Sequence, residues 1–83
     1  MNDISEVRLK DFYQACVIKT LGFKLKRLEG GGQKFKVFVF SDPDFMAEEK
    51  LGQYWDGLLK VDPKELIANI RDLKNRLFSH KDI

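Results

Sequence analysis

The sequence is poor in the residues that most site chemistry draws on. It has one cysteine, Cys16, and one histidine, His80, in 83 residues. A lone cysteine excludes an intramolecular disulfide and fits a reducing, cytoplasmic setting. Neither a metal site of clustered N and S donors nor any cofactor is expected from such a set. No apolar run approaches the roughly 18 residues of a membrane-spanning helix, so no membrane partner is expected. The opening MNDISEVRLK is too polar for a cleaved leader. Proline occurs only at Pro43 and Pro63, each time directly after an aspartate.

What remains reads as one folded domain. Hydrophobic residues make up 43% and charged residues 34%, and seven phenylalanines argue against disorder. The length suits a single domain over 1–83, with an ordered part at 6–79 and frayed ends. A domain of this size buries only about 60–65% of its unfolded surface, so its stability margin is thin. The net charge of +2 hides a split: residues 1–41 carry eight Lys/Arg against four Asp/Glu, and residues 42–65 carry three against seven. That polarity bears on partners more than on fold.

The strongest local signal is Gly22 to Phe40, GFKLKRLEGGGQKFKVFVF. Two alternating runs flank three glycines, which predicts a β-hairpin. Side chains alternate with period two. In a hairpin without a bulge, Phe23, Leu25, Phe35, Val37 and Val39 therefore face the core, and Lys24, Lys26, Lys34 and Lys36 face away. Parity then predicts a three-residue loop, Gly30–Gly32, closed by Glu29 and Gln33, with glycine supplying the left-handed residue. Val37-Phe38-Val39-Phe40 is apolar at every position, so that strand is expected to become covered on both sides.

The flanking elements follow from caps and periodicity. Glu6–Leu9 alternates as a short strand. Asp11 caps a central, largely buried helix that stops at Gly22. Ser41-Asp42-Pro43-Asp44 predicts a second helix from about Pro43 to Asp56, with Ala47, Leu51, Tyr54 and Trp55 inward and Glu48, Glu49 and Lys50 solvated. Leu58–Val61 reads as a further extended run. Asp62-Pro63-Lys64-Glu65 is a capping-box start for a last helix to about Ser79, with Leu66, Ile67, Ile70, Leu73, Leu77 and Phe78 as its apolar stripe. The expected fold is α+β: a small antiparallel sheet built on the β-hairpin, covered on one face by about three helices.

The ordered series carries a resemblance. Its elements are Asp11 eleven residues before Gly22-Phe23-Lys24-Leu25, then Phe38-Val39-Phe40, Tyr54, Val61-Asp62-Pro63, and Leu73-Lys74 followed one residue later by Arg76-Leu77. From about Val7 to Phe78 the chain resembles a family of small bacterial and phage proteins, domain of unknown function 5659. It departs at Lys10, where that family usually has Ser or Thr before the helix aspartate. The resemblance implies a compact α+β domain and no particular activity.

The functional candidates divide by class. Cys16 sits among Ala15, Val17 and Ile18, where an inert buried thiol is expected rather than a nucleophile. His80 suits a helix C-terminus better than a catalytic pocket. Glu48, Glu49 and Asp56 read as a solvated face. The glycine run joins two strands, unlike a phosphate-cradling loop that opens a helix. No enzyme activity or small-molecule substrate is expected. The reading preferred from the sequence is a non-catalytic protein-interaction or self-associating module. The alternative is a nucleic-acid-binding accessory protein whose basic hairpin face, Lys24, Lys26, Arg27, Lys34 and Lys36, makes weak, non-specific contacts with phosphates.

Overall fold

The computed structural model describes residues 5–30 and 36–81. The chain runs β1 (Glu6–Leu9), α1 (Phe12–Thr20), β2 (Leu25–Glu29), β3 (Val37–Ser41), α2 (Ala47–Trp55) and α3 (Pro63–Lys81). The strands form one antiparallel sheet in the order β1-β3-β2. Its inner face and the three helices share one apolar cluster, which is the expected α+β architecture.

Both ends of α1 are built by local chemistry. Asp11 Oδ1 accepts the Gln14 amide at 2.9 Å, satisfying a donor the helix cannot use. At the other end Gly22 takes φ 103°, where a side chain would be strained. Its N–H donates to the Lys19 carbonyl at 3.0 Å and that of Phe23 to the Ile18 carbonyl at 3.3 Å, a Schellman closure. Between the caps Ala15, Cys16, Val17 and Ile18 are all buried. One helix can be apolar on every side only when it has neighbours on every side, and α1 touches β1, α2 and α3.

The sheet corrects the expected facing of the hairpin. Leu28 pairs with Phe38 and Leu25 with Phe40, with the register shifting between Leu25 and Arg27. Lys26 is thus an extra residue, a β-bulge, and it lets Leu25 and Leu28 lie on one face although three positions apart. Phe38 and Phe40 join the core with Leu9. Val37 and Val39, expected inside, take the outer face. Glu29, expected to close a three-residue loop with Gln33, pairs with Val37 instead. Gly31, Gly32, Gln33, Lys34 and Phe35 lie outside the described residues.

The two Asp-Pro signals give different starts. At Asp62 the helix begins directly at Pro63, with Asp62 Oδ1 accepting the Lys64 amide at 3.1 Å. At Asp42 a turn intervenes, and α2 starts at Ala47 rather than near Pro43. The buried Asp42 carboxylate reaches over that turn to the amides of Met46, at 2.8 Å, and Ala47, at 3.3 Å. Phe45 closes the turn at φ 56°. A bulky residue in that region is strained by about 1–2 kcal/mol, and the Phe45 side chain is 70% exposed. Phe45→Gly is therefore expected to stabilise the domain by about 1 kcal/mol, read as a later urea midpoint. An earlier midpoint would mean that the ring contributes to folding.

Leu58–Val61 forms no strand; it is the connection between α2 and α3. Its course is set by Gly57 at φ 75°, with the Gly57 and Leu58 amides donating to the Tyr54 and Gln53 carbonyls at 3.1 and 2.9 Å, a second Schellman closure.

Candidate functional site

Two surfaces carry charged or large apolar side chains outside the core. The first is the outer face of the sheet, where the basic hairpin residues were expected to act. Arg8 on β1 and Arg27 on β2 flank Val39 of the central strand from either side. Each arginine reaches across β3 to a carboxylate on the far strand. Arg8 Nη2 donates to Glu29 Oε1 at 2.5 Å. Arg27 forks onto both Glu6 oxygens at 3.2 Å and donates through Nε to Glu29 Oε2 at 2.7 Å. Lys26, set free by the bulge, adds a 2.6 Å contact to Glu6. Exposed ion pairs are individually weak, but here five side chains hold one another in place. They roof Val39, which is 0% exposed despite facing away from the helices.

This lattice lowers the Glu6 carboxyl to about pKa 2, chiefly through its hydrogen bond from Arg27, then that from Lys26. Glu29 is also lowered, by Arg27 and then Arg8. A depressed carboxyl stabilises the folded state above its unfolded pKa, and that contribution disappears as pH falls. The expected result is a urea midpoint that declines from about pH 4.5 toward pH 2, the interval between the ordinary and folded Glu6 values. Glu6→Gln should lower the midpoint at neutral pH and flatten the acid limb. Parallel acid limbs in parent and variant would show that the lattice does not couple to folding.

The expected basic platform is therefore divided. Lys26 and Arg27 are engaged by Glu6 and Glu29. Lys24 is exposed one residue before β2 and lines a separate hollow with Leu21, Asp42 and Met46. Lys36 is half-buried just before β3, and Lys34 lies outside the described residues. Sequence reasoning missed Glu6 and Glu29 as the counter-charges and Arg8 as the third cation that shares them. Their signal was present in the alternation of Glu6-Val7-Arg8-Leu9, but it needs the strand order to be read.

The other chemical candidates are quiet. Cys16 is fully buried, and burial foremost, with the Asp11 charge second, pushes its thiol up to about 11, so the nucleophilic thiolate is suppressed. The Cys16 carbonyl accepts from Thr20 Oγ1 at 2.7 Å, Thr20 accepts from Asn69 Nδ2 at 3.0 Å, and Asn69 Oδ1 accepts from Lys19 at 3.0 Å. This chain lashes α1 to α3. Among the described residues no three His, Cys, Asp or Glu side chains gather as metal ligands, and no helix is long and apolar enough to cross a membrane. The His80 side chain lies outside what is described.

The second surface is the helix layer. Trp55, expected in the core, is 70% exposed. It ends α2, which packs mainly on α1, and the stripe is covered at Leu51 and in part at Tyr54. Leu58 follows it into solvent. Glu48, Gly52 and Trp55 share one helix face by their i, i+4, i+7 spacing. Gly52 costs about 1 kcal/mol relative to alanine in a helix, yet a Cβ there would meet nothing within 4 Å; nothing among the described residues explains this glycine. At the opposite flank of α1, Phe12, Tyr13, Lys74, Leu77 and Phe78 line a hollow of about 320 Å³. Phe12 is anchored there against Phe38 of the core, with ring centroids 6.1 Å apart. Tyr13 and Phe78 are 60% and 62% exposed.

A family model described as "Domain of unknown function (DUF5659)" matches residues 5–79. The chain belongs to the DUF5659 family. The match takes in all three strands, α1, α2 and all but the end of α3, so both surfaces lie within the DUF5659 domain. No curated protein and no solved structure matches the chain.

Proposed function

We propose that this DUF5659 domain is a non-catalytic protein-interaction module that makes its contacts through the helix layer. The observation that carries this reading is the surplus of large apolar side chains there: Tyr13, Trp55, Leu58 and Phe78 are exposed in a domain whose core is small. A short chain gains stability from each large side chain it buries, so apolar groups left outside in clusters mark contact surfaces. Tryptophan and tyrosine are the residues most enriched at binding hot spots. The sheet edges are poor alternatives. β1 is four residues long, and β2 carries a bulge with Lys26 and Arg27 on it, features that discourage edge pairing. The basic face is a weaker basis for nucleic-acid contact, because Lys26 and Arg27 already hold carboxylates.

The test is photo-crosslinking in the source cell from a reactive residue placed at position 58 or 67 on the helix layer, or at position 8 on the sheet. Protein adducts from 58 and 67 but not from 8 support the reading. Adducts from position 8 alone, or tight low-salt nucleic-acid binding abolished by Lys24→Glu/Lys36→Glu, would overturn it.

A further inference from the structure

We infer that the hollow between α1 and α3 receives the α2 face of a second copy of this chain, in a head-to-tail contact. The inference rests on the helix-layer reading above and names its partner. The two patches are complementary in shape. Trp55 projects from the last turn of α2, and Tyr13 and Phe78 border an apolar recess of about 320 Å³. That volume lies at the small end of binding pockets and suits one large side chain. They are also complementary in charge. The recess has a cation, Lys74, in its lining, with Arg71 exposed one turn away on α3. The projecting face is acidic: Glu48, Glu49 and Asp56 are exposed beside Trp55, within the segment that carries seven acids against three lysines. Opposed potentials of this kind select a partner and its register. Gly52 fits the same arrangement, because bare backbone between Glu48 and Trp55 lets a second surface approach closely.

Since the two patches are different surfaces, the contact is heterologous. A pair leaves one patch of each kind free, the recess on one copy and the projecting face on the other, so copies add in chains or close into a ring rather than stop at a two-fold dimer. One side chain in a small recess makes a small interface, so association should appear on the order of 100 μM.

The experiment is light scattering of purified protein from about 10 μM to 1 mM. The parent's mass should rise past that of a dimer. Trp55→Ser and Tyr13→Ser/Phe78→Ser should each stay monomeric, with circular dichroism confirming the fold; Leu58→Ser serves as a milder change on the projecting face. The deciding measurement is the mixture of the two monomeric variants. One retains a sound recess and the other a sound tryptophan, so together they should form a 1:1 dimer and stop. A parent monomeric at 1 mM, or variants that remain monomeric when mixed, would overturn the head-to-tail contact. Photo-crosslinks from position 58 to a different protein, with no self-adduct, would overturn it too while leaving the helix-layer reading intact.

Discussion

Replacing Phe40 by alanine is expected to destabilise the domain by about 3–5 kcal/mol, the range for a buried aromatic. Phe40 is 0% exposed, lies on the central strand and belongs to the cluster that joins the sheet to α1, α2 and α3. A chain of this length has a total stability of roughly 4–12 kcal/mol, so the loss is a large fraction of the whole and should show as a much earlier urea midpoint. Val37→Ala is the companion measurement. Val37 is half-buried and faces away from the helices, and its truncation should cost less than about 1.5 kcal/mol. Urea melts of both variants compare the two faces of β3 directly. A larger loss for Val37 than for Phe40 would invert the facing and remove the bulge at Lys26.

Asp42→Ala should follow, with a loss of about 2 kcal/mol, at the upper end of the capping range. Asp42 is the one buried charged side chain among the described residues, and it joins several elements at once. Its carboxylate accepts the Met46 and Ala47 amides, its own N–H donates to the Ser5 carbonyl at 2.8 Å, and its carbonyl accepts the Phe45 amide at 3.1 Å. Removing the carboxylate leaves the buried amide of Ala47 without its acceptor. Asp42→Asn retains an acceptor and should recover more than half of the loss. If alanine and asparagine cost the same, the charge on Asp42 matters rather than its hydrogen bonds.

The parts of the fold that were legible in the sequence are those set by local chemistry. Asp11 and Gly22 bracket α1 because capping and left-handed closure involve only neighbouring residues. The four consecutive buried residues of α1 revealed a central helix for the same reason. The facing of β3 was not legible, because Val37-Phe38-Val39-Phe40 is apolar at every position and only the bulge at Lys26 decides which pair turns inward. A bulge depends on cross-strand pairing, which local alternation does not encode. Asp42-Pro43 and Asp62-Pro63 look alike in sequence, yet the first is followed by a left-handed Phe45 that delays its helix. Trp55 was misplaced because a helical stripe shows which residues share a face but not how far the neighbouring helix covers it. The same limit applies to the basic face: Lys26 and Arg27 were visible, but Glu6 and Glu29 become their partners, with Arg8 as a third cation, only once β1 lies beside β3.

The central claim is that Tyr13, Trp55 and Phe78 are kept for contact and not for folding. It is tested most directly by the urea midpoint of Tyr13→Ser/Trp55→Ser/Phe78→Ser in solution far more dilute than the onset of the proposed association. Exposed substitutions usually change stability by within about 0.5 kcal/mol each, so the triple variant should lose less than about 1.5 kcal/mol. A loss of about 3 kcal/mol or more from any one of the three, the range for a buried aromatic, would place that side chain in the core and contradict the account.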